Sequence, residues 1–462
     1  MRKKLFIMPT IVFMLLVASG CAHYPLNQSL DQFDPGTGYR GKYMGIHDNS
    51  EELLLYLSFS GGGTRAAAFS YGLLEELKNT EVSINGEQRK LLDEVDAISA
   101  VSGGSFTAGY YGLFGDRIFL DFEDAFLKKN IQGALTRRTF LNPVNWVRLN
   151  SPWFDRSDLA AEYYDKYIFE GGTFGDIAAR KGPMIHMNAT DMVTGIRMSF
   201  NQDSFDVLCS DVSSFPVARA AAASSAVPVA LTPITLRNYA GSCSYNMPER
   251  LEKTLKEQEI TRREFHHVNN LRPYLDADRK KYLHLVDGGV ADNLGVRTLL
   301  DRVLLFGDFW NSLKFVGLEN TNKVVIIVVN AETEVQKKWS ILDKLPGIGA
   351  MLQSYSSIAI TRYNFETVML LRESFDRWKR EVQENRCAGS PVSTEPGGCG
   401  DIEFYLIEVK FDALKDESER IYYKTLPTSF TLKPEVVDEL RQVARRILNE
   451  SAEYKRLLHD LK

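Results

Sequence analysis

The chain is punctuated by short apolar runs of strand length that end in glycine-rich turns and lead into helical spacing. ELLLYLSF at 52–59 is the first, followed by Ser60-Gly61-Gly62-Gly63-Thr64-Arg65 and then by AAAFSYGLLEELK at 66–78. DAISAV at 96–101 is the second, and it passes through Ser102, Gly103 and Gly104 into FTAGYYGLF at 106–114. YLHLVD at 282–287 runs into Gly288-Gly289, and KVVIIVVNA at 323–331 is another buried-type strand. Helical spacing covers much of 335–385; IEFYLIEVKFDAL at 402–414 reads as a late strand. The segment 434–461 reads as a final amphipathic helix with Pro434 near its first turn. Alternating strands and helices predict an α/β fold: a mostly parallel central sheet flanked by helices, with functional groups at strand ends.

Between these elements the pattern changes character. Residues 22 to about 50 are polar, with scattered Gly, Pro, Asp and Asn, and read as a tether and first loop. Residues 120–175 are rich in Trp, Phe and Tyr and suit helices over a cleft, whether packed in the core or turned toward acyl chains. The charged run within 246–282 reads as a solvent-exposed helical insertion. No internal repeat is visible.

Composition narrows the class. The 462 residues are 44% hydrophobic, as in globular proteins, and the net charge of −5 offers no footprint for nucleic acid. Arg2, Lys3 and Lys4 precede an apolar stretch, Leu5 to Val17, too short for a comfortable membrane span; Ala18-Ser19-Gly20 then supplies small residues for cleavage. Cys21 follows directly, and this arrangement resembles a bacterial lipobox. The resemblance implies that residues 1–20 are a lipoprotein signal peptide and that Cys21 becomes the lipid-modified first residue of an exported protein. Four cysteines remain. An even count in an exported chain suggests disulfides, and the turn-rich loop between Cys387 and Cys399 favours that pair together with Cys209 and Cys243. No cysteine or histidine spacing suits a metal, so neither metal nor cofactor is expected.

The chemistry concentrates in two of the turns. A strand that turns sharply through a serine into a helix is a nucleophile elbow, and Ser102 stands at that turn; Ala100 replaces the usual first glycine of Gly-x-Ser-x-Gly. The helix start aims free N–H groups at the serine oxygen. The Gly61-Gly62-Gly63 loop is a second anion-binding construction. It lacks both the Gly-Lys-Ser/Thr ending of a phosphate loop and the dinucleotide fingerprint, which leaves an oxyanion hole.

SGGGTRA followed by a serine elbow resembles the patatin-like phospholipase family. Asp287-Gly288-Gly289 after a strand, RAAAASSAVPVALTP at 219–233, and Asn188-Ala189-Thr190-Asp191 with Thr194-Gly195 are similar to further marks of that family, in the same order. The resemblance implies a core of about 53–305 within one catalytic domain, 51–462, that carries helical insertions and a helical C-terminal extension. It implies Ser102 as nucleophile and Asp287 as its partner. The N–H groups of Gly61, Gly62 and Gly63, with Gly103 as an extra donor, become the oxyanion hole; Arg65 braces the loop or senses a phosphate head group. The expected function is hydrolysis of carboxylic esters in membrane lipids through an acyl-enzyme, by a protein lipid-anchored to a bacterial membrane, outer membrane or periplasm.

Other arrangements compete with this one. A Ser-His-Asp triad would need, for instance, Asp191 with His266, His267 or His284, but none of these histidines follows a strand with a glycine-rich context. Asp292 reads as a cap for the helix that follows it, and Asp191 as a turn or supporting acid. An inactive lipid-anchored scaffold, or an esterase or thioesterase on other substrates, would use the same fold.

Overall fold

The computed structural model describes residues 22–42, 49–228, 230–334, 343 and 347–462, without the side chains of 348–350, 352, 353 and 356. The leader and Cys21 lie outside the described residues. The strands are β1 (Leu53–Phe59), β2 (Glu81–Ile84), β3 (Glu87–Lys90), β4 (Val95–Val101), β5 (Met184–Asp191), β6 (Arg197–Ser199), β7 (Ile234–Arg237), β8 (Tyr282–Asp287), β9 (Lys323–Asn330) and β10 (Glu403–Lys410). Apart from the β2–β3 hairpin they form one sheet of order β10-β9-β1-β4-β5-β8-β7, with β6 paired to β5. The five strands from β10 to β5 are parallel, and β8 runs antiparallel to both of its neighbours. The fold is therefore α/β with a mixed, mostly parallel sheet flanked by helices. β1, β4 and β5 are buried along their whole length, as strands covered on both faces are.

The helices that matter to the site are α1 (Gly63–Asn79), α2 (Gly103–Phe114), α3 (Val217–Ser224) and α4 (Arg297–Phe306). α1 follows β1 and α2 follows β4, so two helix N-termini open side by side at the carboxyl edge of adjacent parallel strands. In the β1–β4 ladder the register slips between Leu55 and Tyr56. The buried Asp96 carboxylate takes the Leu55 N–H at 2.7 Å there, which explains why a charged residue tolerates a central strand.

Several expectations are corrected. Residues 22–42 are not a free tether: Asn27 donates to Ser210 Oγ (2.8 Å) and Arg237 O (2.9 Å), Tyr39 and Arg40 are buried, and Arg40 pairs with Asp206. The polar residues that suggested solvation are partners for the body of the protein. Beyond residue 305, β9 and β10 complete one half of the sheet. The C-terminal helix is two, Pro434–Glu450 and Ala452–Asp460, divided at the extended Ser451. In the stretch near 335–385, residues 335–342 and 344–346 lie outside the described residues, and the described part holds the helix Ile348–Cys387, which buries Leu371, Trp378 and Val382. Disulfides join Cys209 to Cys243 and Cys387 to Cys399. The charged insertion holds helices Glu249–Glu257, with no buried residue, and Arg263–Leu271. Among the described residues, no helix is long and apolar enough to cross a membrane.

Candidate active site

β5 brings the two halves of the site together. Its Asn188 pairs with Val101, the last residue of β4, and its next residue, Ala189, pairs with Asp287, the last of β8. Because β8 runs antiparallel along the overhanging end of β5, its aspartate arrives level with the residue that follows β4. That residue is Ser102. Its hydroxyl is a near neighbour of the Asp287 carboxylate and pulls that group's pKa down, and both residues are buried, at 4% and 8% exposure.

Ser102 has φ 49° and ψ −118°, a conformation rare for a residue with a side chain. Such backbone costs about 1–3 kcal/mol and persists only where its surroundings hold it. Two features do so. The Ser102 N–H donates to Ser224 Oγ at 2.8 Å, and that hydroxyl donates to Asn188 O at 2.6 Å and lies 2.9 Å from Ser105 Oγ. The backbone is also compressed: a Cβ on Gly103 would lie 2.0 Å from Gly63 O, and one on Gly104 2.8 Å from Ser60 O. Ala100 stays in regular β4 without a positive φ, so the missing first glycine of the motif costs nothing.

Asp287 is fixed from several sides. Its N–H donates to Ala226 O (3.1 Å), its carbonyl accepts from Thr190 Oγ1 (2.9 Å), and its Oδ1 accepts the Gly289 N–H (2.7 Å). Burial pushes its carboxyl up to about 6, against the opposing pull of the Gly289 N–H and the Ser102 hydroxyl. Ionised above that pH and set beside the serine, it has the position and basicity of a proton acceptor.

The glycine loop faces the elbow. Gly62 (φ 142°) and Gly63 (φ 61°) occupy backbone regions that favour glycine, and a Cβ on Gly63 would meet Ser429 O at 2.4 Å. Of the four N–H groups expected to receive an oxyanion, that of Gly61 is committed to Asn293 O at 3.0 Å, which corrects its assignment. Those of Gly62, Gly63 and Gly103 have no acceptor among the described residues. Arg65 is a brace and not a head-group sensor. It is buried, and it donates to Ala331 O (2.9 Å), Leu426 O (2.7 Å) and Thr428 Oγ1 (3.1 Å). Burial pushes its guanidinium down to about 9.

The residue marks of the glycine loop, the elbow and the terminal aspartate thus meet at one sheet edge, and the family model described as patatin-like phospholipase matches residues 57–300. The chain belongs to the patatin-like phospholipase family. No curated protein matches it. Among solved structures it is similar to human GIVD cytosolic phospholipase A2, with 12% identity and a TM-score of 0.45, over 91% of this chain and 62% of that one. The same human protein in complex with methyl gamma-linolenyl fluorophosphonate gives 13% identity and a TM-score of 0.40, over 89% and 59%. The chain spans about three fifths of the length of these structures.

The remaining candidates fall outside the patatin-like cluster. Asp191 is buried against Lys280 Nζ (2.5 Å), Tyr274 Oη (2.6 Å) and Thr194 Oγ1 (3.0 Å), a structural ion pair that holds the insertion to β5. His284 lies beside Thr235 Oγ1 at 3.0 Å, His266 beside Ile260 O at 2.5 Å, and buried His186 beside Asn201 Nδ2 at 3.3 Å. His267 is driven toward its neutral form by burial. Asp292 accepts the N–H groups of Gly295 (3.0 Å) and Arg297 (2.7 Å), and so caps α4 from four residues before the helix's own flanking residue, Val296. Among the described residues, no group of three or more His, Cys, Asp or Glu is placed to hold a metal. Asn293 and Ser429, which act through their backbone carbonyls, carried no signal in the sequence, and Ser224 is marked there only as part of the small-residue stretch 219–233.

Proposed function

We propose that this protein hydrolyses carboxylic ester bonds of phospholipids or related lipids through a Ser102–Asp287 dyad. Ser102 Oγ attacks the ester carbonyl as Asp287 takes its proton. The carbonyl oxygen becomes an oxyanion facing the N–H groups of Gly62, Gly63 and Gly103, backed by the N-termini of α1 and α2. Asp287 returns the proton to the departing alcohol, leaving the acyl group on Ser102. Water then attacks the acyl-enzyme, giving its proton to Asp287; the fatty acid leaves and the serine regains its hydrogen. No histidine or metal takes part in these steps.

The observation that carries the proposal is the strained, buried Ser102 brought by the strand register beside the Asp287 carboxylate, next to backbone donors that lack acceptors among the described residues. Residues 51–462 act in this reading as one catalytic domain. The leader and the two disulfides support an exported protein held at a bacterial membrane by a lipid on Cys21. The test is hydrolysis of phospholipid and short-chain esters by residues 22–462 beside Ser102→Ala, Asp287→Asn and His284→Ala. Activity lost with the first two and kept with the third is expected. Equal activity in all four would leave the dyad without support, and silence in all four would favour a scaffold.

A further inference from the structure

Residues 125–154 contain Lys128, Lys129, Arg137, Arg138 and Arg148 and no Asp or Glu, in a chain whose net charge is −5. They fold into a hairpin of two helices, Ile131–Phe140 and Pro143–Leu149, capped by the side chains of Asn130 and Asn142. The hairpin buries Ile131 but leaves much of its apolar surface in solvent. Phe140, Leu141, Val144, Trp146 and Trp153 are 63%, 72%, 66%, 55% and 51% exposed, and the last two are the exposed tryptophans among the described residues. Lys128 and Arg148 pair with acids, whereas Lys129, Arg137 and Arg138 have no carboxylate partner among the described residues. Exposed aromatic residues among unneutralised cations match the chemistry of an anionic lipid surface, where rings settle at head-group depth and cations meet phosphates.

Two sets of anchors connect this face to the site and to the start of the mature chain. At one end Gln132 N–H donates to Phe430 O, next to the Ser429 that packs on the glycine loop. Beyond the other end, Ser157 N–H and Thr232 N–H bond each other's hydroxyls, in the segment whose Ala226 carbonyl holds Asp287. Ala22, the residue after Cys21, is fixed to the hairpin itself: its carbonyl accepts from Ser151 Oγ at 2.5 Å, and Tyr24 N–H donates to Trp153 O at 2.7 Å. A lipid on Cys21 would therefore enter a bilayer beside Trp153.

We propose that the 131–153 hairpin is the face on which the protein lies against an anionic phospholipid bilayer, seating the cleft at the surface that holds its substrate. This rests on the lipid-hydrolase and lipid-anchor reading above. The anchor tethers the chain at one point, and the hairpin fixes which face meets the bilayer.

The test uses residues 22–462, which keep every contact described here, carrying Ser102→Ala so that vesicles stay intact. Cosedimentation is measured with phosphatidylcholine vesicles with and without phosphatidylglycerol. Two variants are compared, Phe140→Ser/Leu141→Ser/Val144→Ser and Lys129→Ala/Arg137→Ala. Binding that needs phosphatidylglycerol and falls at least about tenfold in the triple variant is expected. The charge variant should weaken binding to anionic vesicles alone. With Ser102 restored, both variants should hydrolyse a water-soluble short-chain ester like the parent. Absence of vesicle binding, equal binding by parent and triple variant, or a solution dimer that the triple variant dissociates would overturn the proposal. Hairpin-dependent binding by a parent without esterase activity would uphold the docking face while the hydrolase reading failed.

Discussion

Asp287→Asn should abolish activity and stabilise the fold. The carboxyl is buried, and burial raises its pKa from the ordinary 3.8 to about 6. At roughly 1.4 kcal/mol per pKa unit, the ionised group therefore costs the folded state about 3 kcal/mol. The raised pKa fixes the sign: the folded protein binds the proton more tightly than the unfolded chain, so stability falls as pH rises from about 4 to about 6, and the full cost persists above that. Asparagine stays neutral throughout and can accept the Gly289 N–H through its amide oxygen. The variant's advantage over the parent should thus grow by about 3 kcal/mol between about pH 4 and pH 8. Asp292, also pushed up to about 6 by burial, titrates in both proteins and cancels. Urea midpoints for the two proteins across this range measure the difference. A difference flat with pH, or one that turns against the variant as pH rises, would refute the reasoning. A base that is costly to keep charged is the kind of strain an active site retains for function.

Other consequences follow from the same geometry. The kcat/KM for a short-chain ester should fall about tenfold per pH unit below about pH 6, as Asp287 is protonated, and His284→Ala should leave that profile unmoved. Ser224→Ala removes the acceptor of the Ser102 N–H; chemical denaturation should show a loss of about 1–3 kcal/mol, and kcat should drop more than KM rises. Gly63→Ala forces a side chain onto φ 61° and into Ser429 O, and should lower kcat/KM at least about a hundredfold by displacing an oxyanion donor.

The elbow and the glycine loop were legible because each is local: strand, turn and helix lie within a dozen residues, and the small residues that close approach requires can be counted. β1, β4 and β9 were legible for a similar reason, as apolar runs buried on both faces; β5 was not legible as a strand, because His186, Asn188, Thr190 and Asp191 break its apolar run. Asp287 came from the resemblance, because a carboxylate at a strand end has no pattern of its own. What joins it to Ser102 is the register of both neighbours on β5, a pairing across nearly two hundred residues. Ser224 had no role of its own in the sequence, because it sits inside the small-residue stretch 219–233 that the resemblance marks only as a whole. Asn293 and Ser429 contribute carbonyls, which any residue type supplies. Residues 22–42 misled for a physical reason: Asn27 and Arg40 suit water equally well, and only their distant partners Ser210, Arg237 and Asp206 reveal that they dock.

The most direct measurement is covalent trapping of the nucleophile. Residues 22–462 are treated with an alkyl fluorophosphonate, digested, and read by mass spectrometry, beside Ser102→Ala and Asp287→Asn. One adduct on the peptide carrying Ser102 is expected, absent from the first variant and formed far more slowly in the second. An adduct on another residue, or labelling of Ser102 at the same rate without the Asp287 carboxylate, would contradict the dyad.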